Sequence, residues 1–300
     1  MFAANLLLQK QPQAVSGAGI NHEFALVAAA RCIGKGRRKG WDGMLYRTKE
    51  LKGYVLHSLD GEIGNVKTFY FDDHHWVVRY MVVDTGNWLK ERKVLISPYA
   101  LTAISYEKRF IQVGLTKAQI EGSPSLDTDK PVSLQFEESF YLYYGWPAYW
   151  GGEYMWGAYP NLVRGSSDTL MKNLGGKVWD PHLRNTKEVN GYSILAPDGD
   201  VGYVEDFLLD EDTWAIRYMI VQTREWWPGK KVLVAPPWIE RVSWDESLVY
   251  INLTREAIRN APAYEEADDL TRAYENNLHH HYNRDGYWEK YPANQPEITM

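Results

Sequence analysis

The sequence predicts a mainly β protein: two tandem small β barrels, each followed by a short helical arm. Three observations lead there. Residues 76–98 read WVVRYMVVDTGNWLKERKVLISP and residues 214–236 read WAIRYMIVQTREWWPGKKVLVAP, an offset of 138. Held without a gap, that offset aligns 48–150 with 186–288 and yields 31 identities in 103 columns, a register that two copies of one domain would keep. The apolar residues of each copy come in short β-branched and aromatic runs separated by Gly, Asp and Pro, with no helical period between them, as a small barrel or sandwich requires. The period then changes. Val132, Phe136, Phe140 and Tyr144 recur at intervals of four, and Leu270, Tyr274, Leu278 and Tyr282 match them, which marks one apolar helix face per copy.

In chain order, residues 1–43 are basic and are read as a poorly structured segment, either a flexible arm or sequence upstream of a start at Met44. The first domain is expected over 44–150. Its Asp60-Gly61 pair supplies a hairpin turn that needs positive φ. VKTFYFDD (66–73) and WVVRYMVVD (76–84) make a hairpin around Asp73-His74-His75, and KVLISP and RFIQVGL add short strands. LTKAQIEGSP, like LTREAIRNAP in the second copy, reads as a short helix stopped by proline. Residues 151–185 form a Gly- and aromatic-rich linker, 186–288 the second domain and 289–300 a tail.

The stretch GYVLHSLDGEIGNVKTFYFDDHHWVVRYMVVDTGNWLKERKVLISP and its second-copy counterpart resemble the PRC-barrel family. The markers are the early Gly, the Asp-Gly turn with Ile or Val and a Gly behind it, the strand opening W-x-x-R-Y, and the K-V-L-x-x-P strand. The resemblance covers both copies. It implies the small barrel found in the cytoplasmic domain of the photosynthetic reaction-centre H subunit, in a bacterial ribosome-maturation factor and in free-standing tandem proteins of bacteria.

The net charge of −6 is unevenly spread, with +5 on residues 1–47, −2 on the first copy and −9 on the second. An acidic second copy repels phosphate, so nucleic acid is not expected as a partner. The single cysteine, Cys32, permits no internal disulfide and no cysteine metal cage, which fits a reducing, cytoplasmic setting. The apolar run FALVAAA from Phe24 ends at Arg31, far short of the roughly 18 residues of a spanning helix. Basic GKGRRKG follows that run instead of preceding it, so no export signal is expected either.

Arg79 and Arg217 are charges inside apolar strands. Strict alternation puts Trp76, Val78, Tyr80 and Val82 on one face and Val77, Arg79, Met81 and Val83 on the other. A cation there needs a partner, and the fixed position in both copies favours a pair with Asp72 or Asp210 over a clamp for an external anion. Trp88, Trp226 and Trp227, where the chain turns back after the central strand, are candidate interaction anchors or core lids. So are Trp146, Tyr149 and Trp150 at the end of the first arm. His279-His280-His281 point in successive directions about 100° apart on a helix and cannot converge on one ion; His74-His75 lies in a turn. No dinucleotide loop, nucleophile elbow or H-E-x-x-H motif occurs, and no cofactor is expected.

These readings point to a non-catalytic adaptor whose two domains bind protein. The copies are expected to pack on each other as an intramolecular pseudo-dimer, with Trp146, Tyr149 and Trp150 touching the other copy or the linker. The alternative is a reaction-centre H-subunit-like role in assembly or electron transfer. A small-ligand binder or enzyme at the inter-barrel cleft, or a ribosome-maturation-like role, ranks lower.

Overall fold

The computed structural model describes residues 44–86, 88–89, 92–124, 134–146, 183–224, 230–266 and 270–289. The expected segments 1–43 and 151–182 and the tail beyond residue 289 lie outside them. In the first half, seven strands are β1 (Leu45–Arg47), β2 (Val55–Ser58), β3 (Gly61–Asp72), β4 (Val77–Asp84), β5 (Lys93–Ile96), β6 (Leu101–Ser105) and β7 (Phe110–Val113). The second half repeats them as β8 (Leu183–Asn185), β9 (Ser193–Ala196), β10 (Gly199–Asp210), β11 (Ile216–Thr223), β12 (Lys231–Val234), β13 (Ile239–Ser243) and β14 (Leu248–Ile251). The protein is mainly β. Among the described residues no helix is long and apolar enough to cross a membrane.

Each sheet runs along the same path, β5-β4-β3-β2-β7-β6 and β12-β11-β10-β9-β14-β13. The first and last strands of each path are chain neighbours. In a flat sheet they would lie about 24 Å apart at the usual strand spacing. Yet Ser97–Ala100 is all that joins Ile96 to Leu101, a link that spans at most about 17 Å when fully extended. The sheet therefore curls. It does not close: β5 and β6 share no ladder, because a 3₁₀ turn at Pro98–Ala100, matched by Pro236–Trp238, makes a corner there. Proline at that corner has no N–H to give to a ladder, so the expected closed barrel is an open, curled sheet.

Backbone shape repeats even where residue type does not. Among the described residues, all the left-handed ones but Gly86 come in pairs 138 apart, including Trp76 and Trp214 (φ 56° and 60°), Arg109 and Ser247 (51° and 58°), and Gly145 and Asn283 (66° and 52°). Gly64 and Gly202 also pair, and there a Cβ would sit 2.0 Å from the carbonyl oxygen of Asp84 or Gln222, so only glycine fits. A cation from the loop before β5 or β12 satisfies the end of each short helix: Arg92 donates to the carbonyls of Glu121 and Ser123, and Lys230 to those of Arg259 and Ala261.

The sequence reading missed the exchange of strands. β1 precedes the first copy but pairs with β10, as Leu45 with Asp210, Tyr46 with Leu209 and Arg47 with Leu208. β8, read from the sequence as the end of the linker, pairs with β3 through the equivalent residues: Leu183 with Asp72, Arg184 with Phe71 and Asn185 with Tyr70. At the hairpin tips, Val77 bridges to Ala215, its own equivalent. Val78 donates to the Trp214 carbonyl at 2.9 Å and Ile216 to the Trp76 carbonyl at 2.7 Å. The two sheets lie in one compact unit and share a core in which Phe71 meets Phe207 at 5.8 Å and Phe69 meets Trp214 at 6.4 Å. A second cluster, Tyr80, Val82, Leu95, Phe140, Tyr141 and Leu183, lies under the helix Leu134–Tyr144.

A chain with a protease site engineered between residues 151 and 182 should, once cut, elute from size exclusion as a single particle of uncut size. Separation of the pieces without denaturant would contradict the exchange.

Candidate functional site

The charged strand residues sit at irregularities that the sequence does not show. Tyr70 pairs with Tyr80 and Phe71 with Val78, so Arg79 is the extra residue of a β-bulge; Arg217 occupies the same bulge between Tyr218 and Ile216. The bulge breaks strict alternation: Val78, Met81 and Val83 enter the shared core, whereas Tyr80 and Val82 face the helix. Each arginine pairs with the aspartate that ends the preceding strand. Arg79 donates to Asp72 Oδ2 at 3.0 Å, and Arg217 to Asp210 Oδ2 at 2.7 and 2.9 Å. Those aspartates also hold the turns, accepting from the amides of His74 and His75 or of Asp212 and Thr213. Burial pushes the Asp72 carboxyl up, but Arg79 and His75 outweigh it and hold it below its ordinary value.

Around this centre the exchanged strands bring unlike chemistry to equivalent places. Tyr46 stacks on Tyr106 at 3.7 Å, and Tyr106 donates to Glu211 at 3.0 Å. At the equivalent positions, Arg184 lies over the Trp244 ring at 4.1 Å and donates to Asp73 at 3.0 Å. Thr48 and the Lys49 amide donate to Asp206, while Thr186 meets Thr68 at 3.2 Å. Burial raises the Asp206 carboxyl, against the hydrogen bonds that Thr48, Phe207 and Lys49 give it. A further network, Arg47 and Lys231 on Glu266 with Lys49 and Lys231 on Glu205, ties β1 and the turn of helix after it to the second half.

The third feature is a buried acid under each helix. Tyr80 donates to Glu137 at 3.0 Å, and the Tyr218 hydroxyl oxygen lies 2.9 Å from Glu275 Oε1. Neither acid is among the residues singled out from the sequence. The signal was there: Glu137/Glu275 and Tyr144/Tyr282 are the identities within the helical arms, and a retained acid in an apolar period calls for a buried partner. Of the three consecutive histidines, His279 is buried against Tyr218, His281 bonds to the Ala257 carbonyl at 2.8 Å and His280 is exposed.

The two described aromatic candidates, Trp88 and Trp146, are half-buried. Trp88 packs half-buried on the core with the Lys117 ammonium 5.3 Å from its ring centre. Trp146, expected to reach the other copy or the linker, is stacked on Tyr144 of its own half at 4.4 Å and set against Tyr99, Phe140 and Tyr141. The reason is local. Gly145 turns the chain left-handed after the helix and folds the indole back over it. Trp226, Trp227, Tyr149 and Trp150 lie outside the described residues. At the seam a cavity of about 10 Å³, lined by Tyr46, Tyr106, Leu209, Glu211 and Trp214, has room for about one water.

Two tests follow from burial. Arg79 is fully buried and Arg217 is one-fifth exposed, so Asp72→Ala should cost about 3–5 kcal/mol in urea unfolding and Asp210→Ala distinctly less; equal costs would remove burial as the cause. Asp206 has a raised carboxyl, so its contribution is full below the ordinary value of 3.8 and is lost as pH rises through the folded value. Asp206→Asn should therefore gain stability relative to the parent chain between about pH 4 and 7. The reverse drift would show the site to favour the ionised form.

No protein-family model matches the chain, and no curated protein matches it either. The likeness to the PRC-barrel family accordingly rests on the quoted residues.

Proposed function

We propose that the chain is a non-catalytic interaction protein of the cytoplasm, in which two PRC-barrel-like domains form an intramolecular pseudo-dimer that serves as a rigid, two-faced platform for a protein partner. The observation that carries this reading is the reciprocal strand exchange, since each half supplies a strand that the other lacks. The four-residue corner between the end strands of each path bends a six-strand path back on itself, as in a barrel left open along one seam. Mated backbone fixes how the two faces stand to each other, whereas their charges, −2 and −9, differ as faces for different surfaces would. The reaction-centre alternative rests on the resemblance alone.

The test is affinity capture of the intact chain from its own cells, with lysine cross-linking before lysis. A stable protein partner cross-linked to both halves is the expected result. Recovery of no stable protein, or of nucleic acid in its place, would overturn the reading.

A further inference from the structure

The second half contains a buried polar cluster whose hydrogens do not balance without one extra proton. His279 Nδ1 lies 2.9 Å from the Asp285 carbonyl, which only accepts, so Nδ1 carries a hydrogen. The Tyr218 oxygen lies 2.9 Å from His279 Nε2 and 2.9 Å from Glu275 Oε1. Tyr218 has one hydroxyl hydrogen for these two contacts. If it goes to Nε2, Glu275 must itself carry an O–H to bond the Tyr218 oxygen. If it goes to Glu275, Nε2 must be protonated and His279 is an imidazolium. With an ionised Glu275 and a neutral His279, one 2.9 Å contact sets lone pair against lone pair, where Tyr218, Glu275 and His279 are all buried.

We propose that the Tyr218–Glu275–His279 cluster stores one proton, and that this proton latches the helix Arg272–His281 and the segment Asp285–Trp288 onto β11, so that its loss at alkaline pH loosens them. Groups from three elements face the cluster. From the helix, Arg272 reaches Glu275 Oε2 at 2.8 Å; from the returning segment, Tyr287 donates to Glu275 at 3.0 Å, and Trp288 and Trp238 set their rings against His279. From β11, Arg217 lies over the Tyr287 ring but is paired to Asp210. Glu289 and the Arg284 backbone face the imidazole. Burial raises the Glu275 carboxyl, against Arg272 and the hydrogen bonds of Tyr218 and Tyr287, and lowers His279, which favours the carboxyl over the imidazole as the seat of the proton. The first half has no such device, since Tyr141 stands where His279 does and Leu134 where Arg272 does.

The sign follows by counting protons. Between the ordinary values of Glu, 4.5, and His, 6.5, the unfolded chain holds one proton on these two groups and so does the folded cluster, and stability is level. Above 6.5 the unfolded chain holds none, so each pH unit favours unfolding until the cluster gives up its proton. Glu275→Gln puts an amide N–H where the carboxylic O–H was and removes the titration.

Urea unfolding of the full chain, as the parent, Glu275→Gln and Glu137→Gln, tests this between about pH 6.5 and 8.5. The unfolding constant of the parent should rise relative to that of Glu275→Gln by up to about tenfold per pH unit, and Glu137→Gln should keep the parental slope. Parallel parent and Glu275→Gln profiles would overturn the proposal, as would a flattened Glu137→Gln. Should Glu275→Gln fail to fold, infrared and ¹⁵N-imidazole spectra of the parent near neutral pH decide. A protonated buried carboxyl or an imidazolium at His279 supports the stored proton, and neither being present refutes it.

Discussion

The fold depends on finding a partner for the far ends of two long strands. β3 and β10 are each 12 residues long and are covered along one side by β4 and β11. On the other side, the short strands β2 and β9 reach only the first few residues. What remains, Tyr70–Asp72 and Leu208–Asp210, would be buried backbone with open hydrogen-bonding groups. Each half covers the other's open end with the strand that precedes its own repeat. The need is equal on both sides, so the exchange is reciprocal, and neither half has a complete sheet alone.

The other contacts at the seam build on that exchange. Asp72 and Asp210, at the ends of the covered strands, hold their turns and take the bulged arginines, which places Val77 beside Ala215. The left-handed Trp76 and Trp214 turn their carbonyls toward the opposite half, a backbone cost the two cross-seam hydrogen bonds help to offset. Side chains were then free to diverge at equivalent places, giving two stacked tyrosines at one end of the seam and an arginine on a tryptophan at the other. The backbone pattern sets the geometry, and the residues set the local chemistry.

Beneath the helices the two halves differ in consequence. The first uses a Tyr–Glu hydrogen bond that its own hydroxyl hydrogen completes. The second adds a histidine to the same oxygen and so acquires a proton requirement. One substitution between copies, Tyr141 to His279, places an imidazole where the first half has a phenol.

The sequence by itself determined the two copies, their strand-rich character, the short proline-stopped helices, the apolar helix faces and the Arg–Asp pairing. All of these are local or follow from internal comparison: the 138-residue register, the period of four, and a cation in an apolar strand with an acid seven residues before it. Tertiary structure alone decided which sheet β1 and β8 join, because a three-residue strand carries no mark of its partner and the far end of β3 is equally open to any strand that fits. It also decided that Trp146 folds back onto its own helix, that a bulge at Arg79 turns Val78 and Tyr80 to opposite faces, and that the path stays open at Pro98. Each depends on a hydrogen bond made or withheld across the sheet, and period-two patterning is blind to a single residue that drops out of the ladder.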